Sequence, residues 1–172
     1  PRPAPRPPRR YRLLVDHSAR DAEGRATGTN ALILPGLAPV PALHRIRDLA
    51  RAARQVTDHG RLRVHLAGTD IASAFRRVLI RPADQPLLLV RPPDPLPVLV
   101  DRAAPMGLVS SCGILATLTA SVCRALESRH PQARALVYVD DFILVSPTAR
   151  ATTAALDTLH RILQAFGLPA AT

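Results

Sequence analysis

Two apolar runs flank a pair of adjacent carboxylates in the C-terminal third of the sequence. The runs cover residues 135–139 and 142–145, and Asp140 and Asp141 lie between them. Short apolar runs bounded by turn residues predict two buried strands, with the acidic pair in the tight turn that joins them. A turn between two stiff strands would hold its side chains in fixed positions.

Three helices are predicted, the first and the third of them from apolar residues that recur at helical spacing. The first begins at Pro41, and the second covers residues 109–128, which carry few charges. The third covers residues 148–166 and is stopped by Gly167 and Pro169. The remaining predicted elements are a strand from residue 63 that ends near Asp70, a short helix or turn at 71–77, and strands at 87–90 and 98–100.

The order of these elements predicts an α+β fold, an antiparallel sheet with helices packed on one face. A chain of 172 residues with 47% hydrophobic content can bury one good core and a small second lobe. Residues 1–11 are rich in proline and arginine, which predicts a linker or an extended basic arm. Residue 12 is where a first strand is expected to begin.

The charge of the chain points to a polyanionic partner. The net charge is +10, and all 23 basic residues are arginine. Such a surplus predicts nucleic acid or a membrane surface as partner, and the planar arginine fork is well suited to phosphate. For the arginines at 45, 47, 51 and 54, the alternative is a solvated helix face. No apolar run reaches 18 residues, so no transmembrane helix is predicted.

The cysteines and histidines do not predict a zinc site. Cys112 and Cys123 lie eleven residues apart, which places them on one face of a helix, and they are expected to be two core thiols. A disulfide within one helix is excluded by geometry. The six histidines show no metal-binding spacing.

An acidic constellation is the strongest candidate for chemistry. Asp70, at a predicted strand end, can meet the pair Asp140 and Asp141 at one sheet edge, where three carboxylates would repel one another unless a cation lay between them. Mg²⁺ prefers such hard oxygen ligands, and two ions about 3.5–4 Å apart can clamp both oxygens of a phosphoryl transfer. Because adjacent strand residues face opposite sides, Asp140 is the expected main ligand and Asp141 a peripheral one. The alternative is that these aspartates are ordinary turn residues.

A second candidate element lies between the acidic ones. In the stretch Pro105-Met106-Gly107, glycine would let the backbone approach a substrate closely just before the second long helix. The alternative is an ordinary helix entry.

Together these motifs resemble those of reverse transcriptases. Tyr138-Val139-Asp140-Asp141 is similar to their Tyr-x-Asp-Asp motif, residues 70–75 to their first catalytic motif, and residues 105–107 to their substrate-side motif. The closest resemblance is to hepadnavirus-type polymerases, followed by tyrosine-recombinase retrotransposon enzymes. Further similar stretches are at 12–16, 40–43, 80–82, 88–90, 130–131 and 166–168. The hepadnaviral motif usually has methionine where this chain has Val139, and the segment between Val90 and Pro105 is shorter than in the mammalian viruses.

The resemblance implies a role for each matched residue. Asp70, Asp140 and Asp141 would bind two Mg²⁺ ions, with Mn²⁺ as an alternative ion, and the backbone of Ile71 would help to hold the second. Phe75 would be the steric gate that rejects a ribose 2′-hydroxyl. The other nucleotide-binding positions would be Arg12 at the triphosphate, Met106 and Gly107 at the base and sugar, and Tyr138 and Val139 beside the acids.

The resemblance also implies the fold, the activity and the partners. Residues 12–62 would belong to the fingers and 63–172 to the palm, with fingers strands returning at about 79–104 and with the thumb and the ribonuclease H domain outside this chain. The activity would be RNA-directed DNA polymerisation. Its partners would be an RNA or DNA template-primer, deoxynucleoside triphosphates and the rest of the polymerase, and a membrane would not be a partner. One alternative is an inactive, arginine-rich remnant that binds nucleic acid. Another is a small interaction domain whose acids are turn residues.

Overall fold

A three-stranded antiparallel sheet forms the centre of the protein. The computed structural model describes residues 15–34, 36, 38–39, 41, 43–57, 63–92 and 95–171. Its strands are β1 (His65–Asp70), β4 (Arg134–Tyr138) and β5 (Asp141–Ser146), and a separate two-stranded sheet pairs β2 (Leu89–Val90) with β3 (Leu99–Val100). The strand order of the central sheet is β1-β5-β4, so β1 pairs with a strand from much later in the sequence.

Helices cover both faces of the central sheet. They are α1 (Ile46–Val56), α2 (Ala74–Arg77), α3 (Ser111–Glu127) and α4 (Ala149–Ala165), with 3-10 turns at Thr29–Leu32 and Pro82–Leu88. No helix within the described residues combines the length and the apolar character needed to cross a bilayer.

The main core lies between the sheet and the pair α3 and α4. Phe142 and Leu144 of β5 point into it and are almost fully buried, as are Leu115 and Leu126 of α3 and Leu159 of α4. Burial of a large apolar side chain contributes about 1.5–3 kcal/mol. This layer therefore holds the hairpin of β4 and β5 in place from behind.

A smaller core on the other face overturns one expectation. Leu136 of β4 and Val145 of β5 point away from the main core and pack with Ala52 of α1. The prediction that helices cover one face is therefore wrong. The physical reason was present in the sequence, because a continuous apolar run, unlike an alternating one, belongs to a strand that is buried on both faces.

Two other elements are shorter than their patterns predicted. The helix expected from Pro41 begins at Ile46, where the Asp48 carboxylate accepts the backbone N–H of Arg45 at 2.8 Å in a capping arrangement. The strand expected at 87–90 is reduced to its last two residues, since Pro82–Leu88 forms a 3-10 turn with Pro86 inside it. The basic arm and the start of the first strand lie outside the described residues.

The outer edge of β4 is covered by side chains. The backbone N–H of Ala135 donates to Glu127 Oε1 at 2.9 Å, and the backbone N–H of Val137 donates to His44 Nδ1 at 3.0 Å. Unpaired N–H groups on an edge strand otherwise invite pairing with another strand. Glu127 and His44 thus complete the hydrogen bonding of the strand that leads into the acidic turn.

The two cysteines differ in burial, and we expect them to differ in reactivity. Cys123 is buried whereas Cys112 is only half-buried, so the expectation of two core thiols holds for Cys123 alone. Burial, and then the charge of Glu127, raise the pKa of the Cys123 thiol to about 12. Because alkylation requires the thiolate, iodoacetamide at pH 8 should modify Cys112 and spare Cys123 until the protein unfolds. Mass spectrometry of the labelled peptides measures this, with Cys112→Ser as control, and equal labelling of both thiols in the folded protein would contradict the burial of Cys123.

Candidate active site

The acidic turn is a two-residue hairpin with an unusual backbone. Tyr138 pairs with Asp141, which leaves Val139 and Asp140 as the turn. Val139 has φ of 61°. Two-residue hairpin turns require positive φ at their first position and favour Gly or Asn there, so a β-branched residue costs of order 1–3 kcal/mol. The packing on both faces of the sheet offsets this cost and holds Asp140 at the tip.

The register of β1 and β5 brings a second acid to the same place. Asp70, the last residue of β1, lies directly opposite Asp141, the first residue of β5. Directly opposed residues lie on one face of a sheet with Cβ atoms about 4.5–5.5 Å apart. Asp141 is therefore the directly paired sheet neighbour of Asp70, and its expected role as a peripheral ligand stays a prediction. The backbone N–H of Ile71 donates to the carbonyl oxygen of Asp140 at 3.3 Å, which ties the turn to the end of β1.

A segment near the C-terminal end of the chain fixes Asp70 from the other side. The N–H of Ala171 donates to the carbonyl oxygen of Asp70 at 2.8 Å, and the N–H of Ala72 donates to Pro169 at 2.9 Å. His160 of α4 lies within hydrogen-bonding distance, 3.2 Å, of the Thr69 hydroxyl. Asp70 thus has its backbone anchored on both sides while its side chain is exposed.

The electrostatics of the turn are those of crowded negative charges. Burial raises the pKa of Asp140, and the negative charges of Asp70 and Asp141 raise it further. Asp140 is half-buried, and the other two carboxylates are exposed. The negative charges of Asp70 and Asp141 therefore act on Asp140, which is the kind of repulsion that a bound cation would relieve.

The donor chemistry at this turn fits Mg²⁺, although a complete cage is not formed. Within the described part of the chain, no three Asp, Glu, His or Cys side chains converge into a ready-made metal site. The available donors are carboxylate oxygens on a rigid hairpin, and hard oxygen atoms are the ligands that Mg²⁺ takes. Ile71 can contribute only through its backbone, because its side chain is 1% exposed and belongs to the core.

The other predicted substrate residues lie on separate elements. Phe75 is on α2, half-buried against the main core. Met106 and Tyr138 are exposed by 49% and 57%, which leaves their side chains accessible. Gly107 has φ of 92°, a left-handed conformation that requires glycine. Arg12 lies outside the described residues, so its position at the triphosphate stays a prediction.

An asparagine in the polar loop before the first long helix connects two of these regions. The Nδ2 atom of Asn30 donates to the carbonyl oxygen of Gly107, and its Oδ1 atom accepts the N–H of Val109, both at 2.9 Å. The loop of residues 15–34 is thereby attached to the start of α3. No periodicity or motif marks Asn30, since its partners lie 77 and 79 residues away.

A close backbone contact ties a further segment to α3. At Gly113, an added Cβ would overlap the backbone carbonyl oxygen of Pro39. Only glycine permits this approach. The N-terminal part of α3 is therefore enclosed by residues from two earlier segments.

Comparison with known proteins identifies the family of this chain. The family model for reverse transcriptase (RNA-dependent DNA polymerase) matches residues 23–172, a range that contains Asp70, Phe75, Gly107 and the acidic hairpin. A comparison with curated proteins gave no match. The match covers most of the chain, and the mixed helices and small antiparallel sheets are consistent with such a domain. The chain therefore belongs to the reverse transcriptase family.

Proposed function

We propose that this chain forms the fingers and palm of an RNA-directed DNA polymerase and that nucleotidyl transfer takes place at its acidic hairpin. Membership of the reverse transcriptase family supports this enzyme class. The observation that carries the proposal is the register in which Asp70 faces Asp141 beside the turn residue Asp140. The primer 3′ end, on an RNA or DNA template, would receive a deoxynucleotide there.

The carboxylates of Asp70, Asp140 and Asp141 would hold two divalent ions, Mg²⁺ or Mn²⁺, with the backbone of Ile71 beside them. Bound there, such ions would lower the pKa of an attacking hydroxyl and neutralise the charge of a triphosphate. The contribution of the chain is positional. Backbone hydrogen bonds at the end of β1 and in the turn fix the main chain of Asp70 and Asp140, so their carboxylates would be carried by a defined backbone when substrate binds.

The nucleotide pocket would lie beside this hairpin. Phe75 and Gly107 would border the sugar and base, together with Met106 and the exposed ring of Tyr138. The stiff side chain of Val139 would limit the space next to Asp140. Arg12 would contact the triphosphate.

We assign residues 12–62 to the fingers and 63–172 to the palm. The small sheet of β2 and β3 lies within residues 79–104, where fingers strands would return. A thumb and a ribonuclease H domain would be partners of this region. Among related enzymes, the hepadnavirus type fits the motifs best, followed by the retrotransposon type with a tyrosine recombinase.

Primer extension tests the proposed function. The chain is incubated with an RNA template, a DNA primer, deoxynucleoside triphosphates and Mg²⁺, and the primer length is measured. Extension that stops on addition of EDTA supports the proposal. Stable template-primer binding without extension would instead support an inactive nucleic-acid-binding remnant.

Phe75 supplies a prediction about sugar selection. Phe75→Val should increase the incorporation of ribonucleotides relative to deoxynucleotides by about tenfold or more, since the smaller side chain leaves room for the 2′-hydroxyl, the group that distinguishes the two sugars. Single-nucleotide extension with both substrates measures the ratio. Phe166→Val is a control, because Phe166 is a 49% exposed aromatic residue that follows α4. An unchanged ratio in Phe75→Val would show that the gate lies elsewhere.

A further inference from the structure

A basic groove lies on the helical side of the protein and has no part in the proposed chemistry. Its volume is about 370 Å³. It is formed where the chain leaves α3 and passes the second half of α4. The residues that line it are Arg129, His130, Thr158, Arg161, Ile162 and Ala165.

A buried hydroxyl organises the polar wall of this groove. Thr158, which is 8% exposed, has its Oγ1 atom 2.9 Å from His130 Nε2. The same oxygen accepts a hydrogen bond from Arg161 Nη2 at 3.1 Å. One side chain therefore positions both an imidazole and a guanidinium group.

The two arginines are anchored but keep unused donors. Arg129 donates one N–H to the carbonyl oxygen of Ala125 at 2.7 Å, and Arg161 donates its Nε–H to the carbonyl oxygen of Asp157 at 3.3 Å. A guanidinium group carries five N–H donors, so each arginine retains others for a ligand. In the part of the chain that the structure describes, neither arginine forms an ion pair with a carboxylate.

The α4 face of the groove also carries two apolar residues, Ile162 and Ala165, beside Thr158 and Arg161. A bare phosphate ion would leave these apolar residues without a partner, and pockets above about 300 Å³ commonly hold larger ligands. A nucleotide unit matches this mixed lining, because its phosphate accepts paired arginine N–H groups and its base offers a flat apolar face.

The position of the groove separates it from the acidic hairpin. Arg129 and His130 precede the first residue of β4, whereas Asp140 follows its last residue. The length of β4 alone, roughly 13 Å at about 3.3 Å per residue, separates the two places. A ligand in the groove would therefore not occupy the site of the three acids.

We propose that this groove binds a phosphate and the adjoining base of a single-stranded nucleic acid, as a second contact for the template or product strand. The proposal rests on the proposed function, which brings such a strand to the protein. The net charge of +10 and the match to an enzyme family that acts on nucleic acid favour a strand over an acidic peptide.

The test measures binding of a fluorescein-labelled oligothymidine to the full chain by anisotropy, without divalent ions. Arg129→Gln/Arg161→Gln should weaken binding about tenfold, and Thr158→Val should weaken it by a smaller factor. The slope of log affinity against log salt should become shallower by about 0.7 for each phosphate that the protein no longer neutralises. Arg150→Gln is the matched control, since Arg150 is exposed on the first turn of α4.

Equal binding by the groove variants and the Arg150→Gln control would overturn the proposal. So would displacement of the oligonucleotide by a glutamate-rich peptide at the same concentration as by unlabelled oligothymidine. Photo-crosslinking with a 4-thiothymidine oligonucleotide should label residues 129–130 or 158–165, and labelling confined to segments outside the groove would also refute the proposal.

The same experiments separate this inference from the proposed function. If groove variants bind normally while the unmodified chain extends primers, only the groove proposal fails. If the chain never extends a primer but the groove variants lose affinity, only the polymerase proposal fails.

Discussion

Asp140→Asn is expected to lower primer extension by about a thousandfold, equivalent to about 4 kcal/mol of transition-state stabilisation. The substitution keeps the shape of the side chain and removes the negative charge at the tip of the hairpin. Asp70 and Asp141 remain, but the site loses the carboxylate that is most deeply enclosed. Steady-state extension with Mg²⁺, at saturating template-primer, measures the loss.

Although Asp140→Asn should lower primer extension, it should leave the stability of the fold unchanged or raise it. Because burial and then the neighbouring acids raise the pKa of Asp140, its charged form is disfavoured in the folded state. Its contribution to stability is full below the ordinary aspartate pKa and is lost as the pH rises through the raised value. At pH 7 without divalent ions, Asp140→Asn should therefore unfold at the same temperature as the unmodified chain or at a higher one.

Asp157→Asn serves as the control, since Asp157 is exposed on α4. It should leave both extension and stability unchanged. Extension by Asp140→Asn at the unmodified rate would refute the assignment of the hairpin. A large loss of stability in that variant would mean that Asp140 is mainly a structural residue.

Gly113→Ala should destabilise the protein by about 2 kcal/mol, although alanine is the better helix former by about 1 kcal/mol. The new Cβ would overlap the carbonyl oxygen of Pro39 and would lie only 2.6 Å from its carbonyl carbon. These are backbone atoms, so no side-chain rotation can relieve the clash. Urea unfolding followed by circular dichroism measures the change, and limited proteolysis should show faster cleavage near Pro39.

A second glycine provides the comparison for this substitution. At Gly68 of β1, an added Cβ would meet the carbonyl oxygen of Phe142 at 3.5 Å, which is an ordinary van der Waals contact. Gly68→Ala should accordingly leave the unfolding midpoint nearly unchanged. If Gly113→Ala were as stable as Gly68→Ala, the contact between α3 and the segment around Pro39 would be refuted.

Strong local patterns predicted the elements that hold the hairpin. Helices expected at 109–128 and 148–166 are found as Ser111–Glu127 and Ala149–Ala165. Long, mostly apolar stretches favour a helix over a strand, and Gly167 and Pro169 mark the end of the second helix. The hairpin between two apolar runs was equally clear. The position of α1 was not predicted, because its place on the second face depends on contacts with Leu136 and Val145, which are distant in sequence.

Local sequence patterns could not predict how the strands pair across the sheet at this site. The three acids could be named from the sequence, but the neighbours of Asp70 depend on how β1 aligns with β5. A shift of one residue would move every side chain of the strand to the other face. The hydrogen bond between His44 and Val137 likewise joins residues 93 positions apart. Such contacts follow from the complete fold and leave no local signature.

At Val139, with its left-handed backbone, two properties that usually vary together are separated. They are the free energy of folding and the precision with which the neighbouring carboxylate is positioned. Glycine at this position would remove the steric penalty, yet it would also enlarge the set of conformations that the turn can sample. The neighbouring carboxylate would then occupy a broader distribution of positions in a molecule that is no less stable. The unfolding temperature therefore says little about how precisely this turn positions the carboxylate. The quantity to compare among variants at residue 139 is the range of positions that this carboxylate occupies.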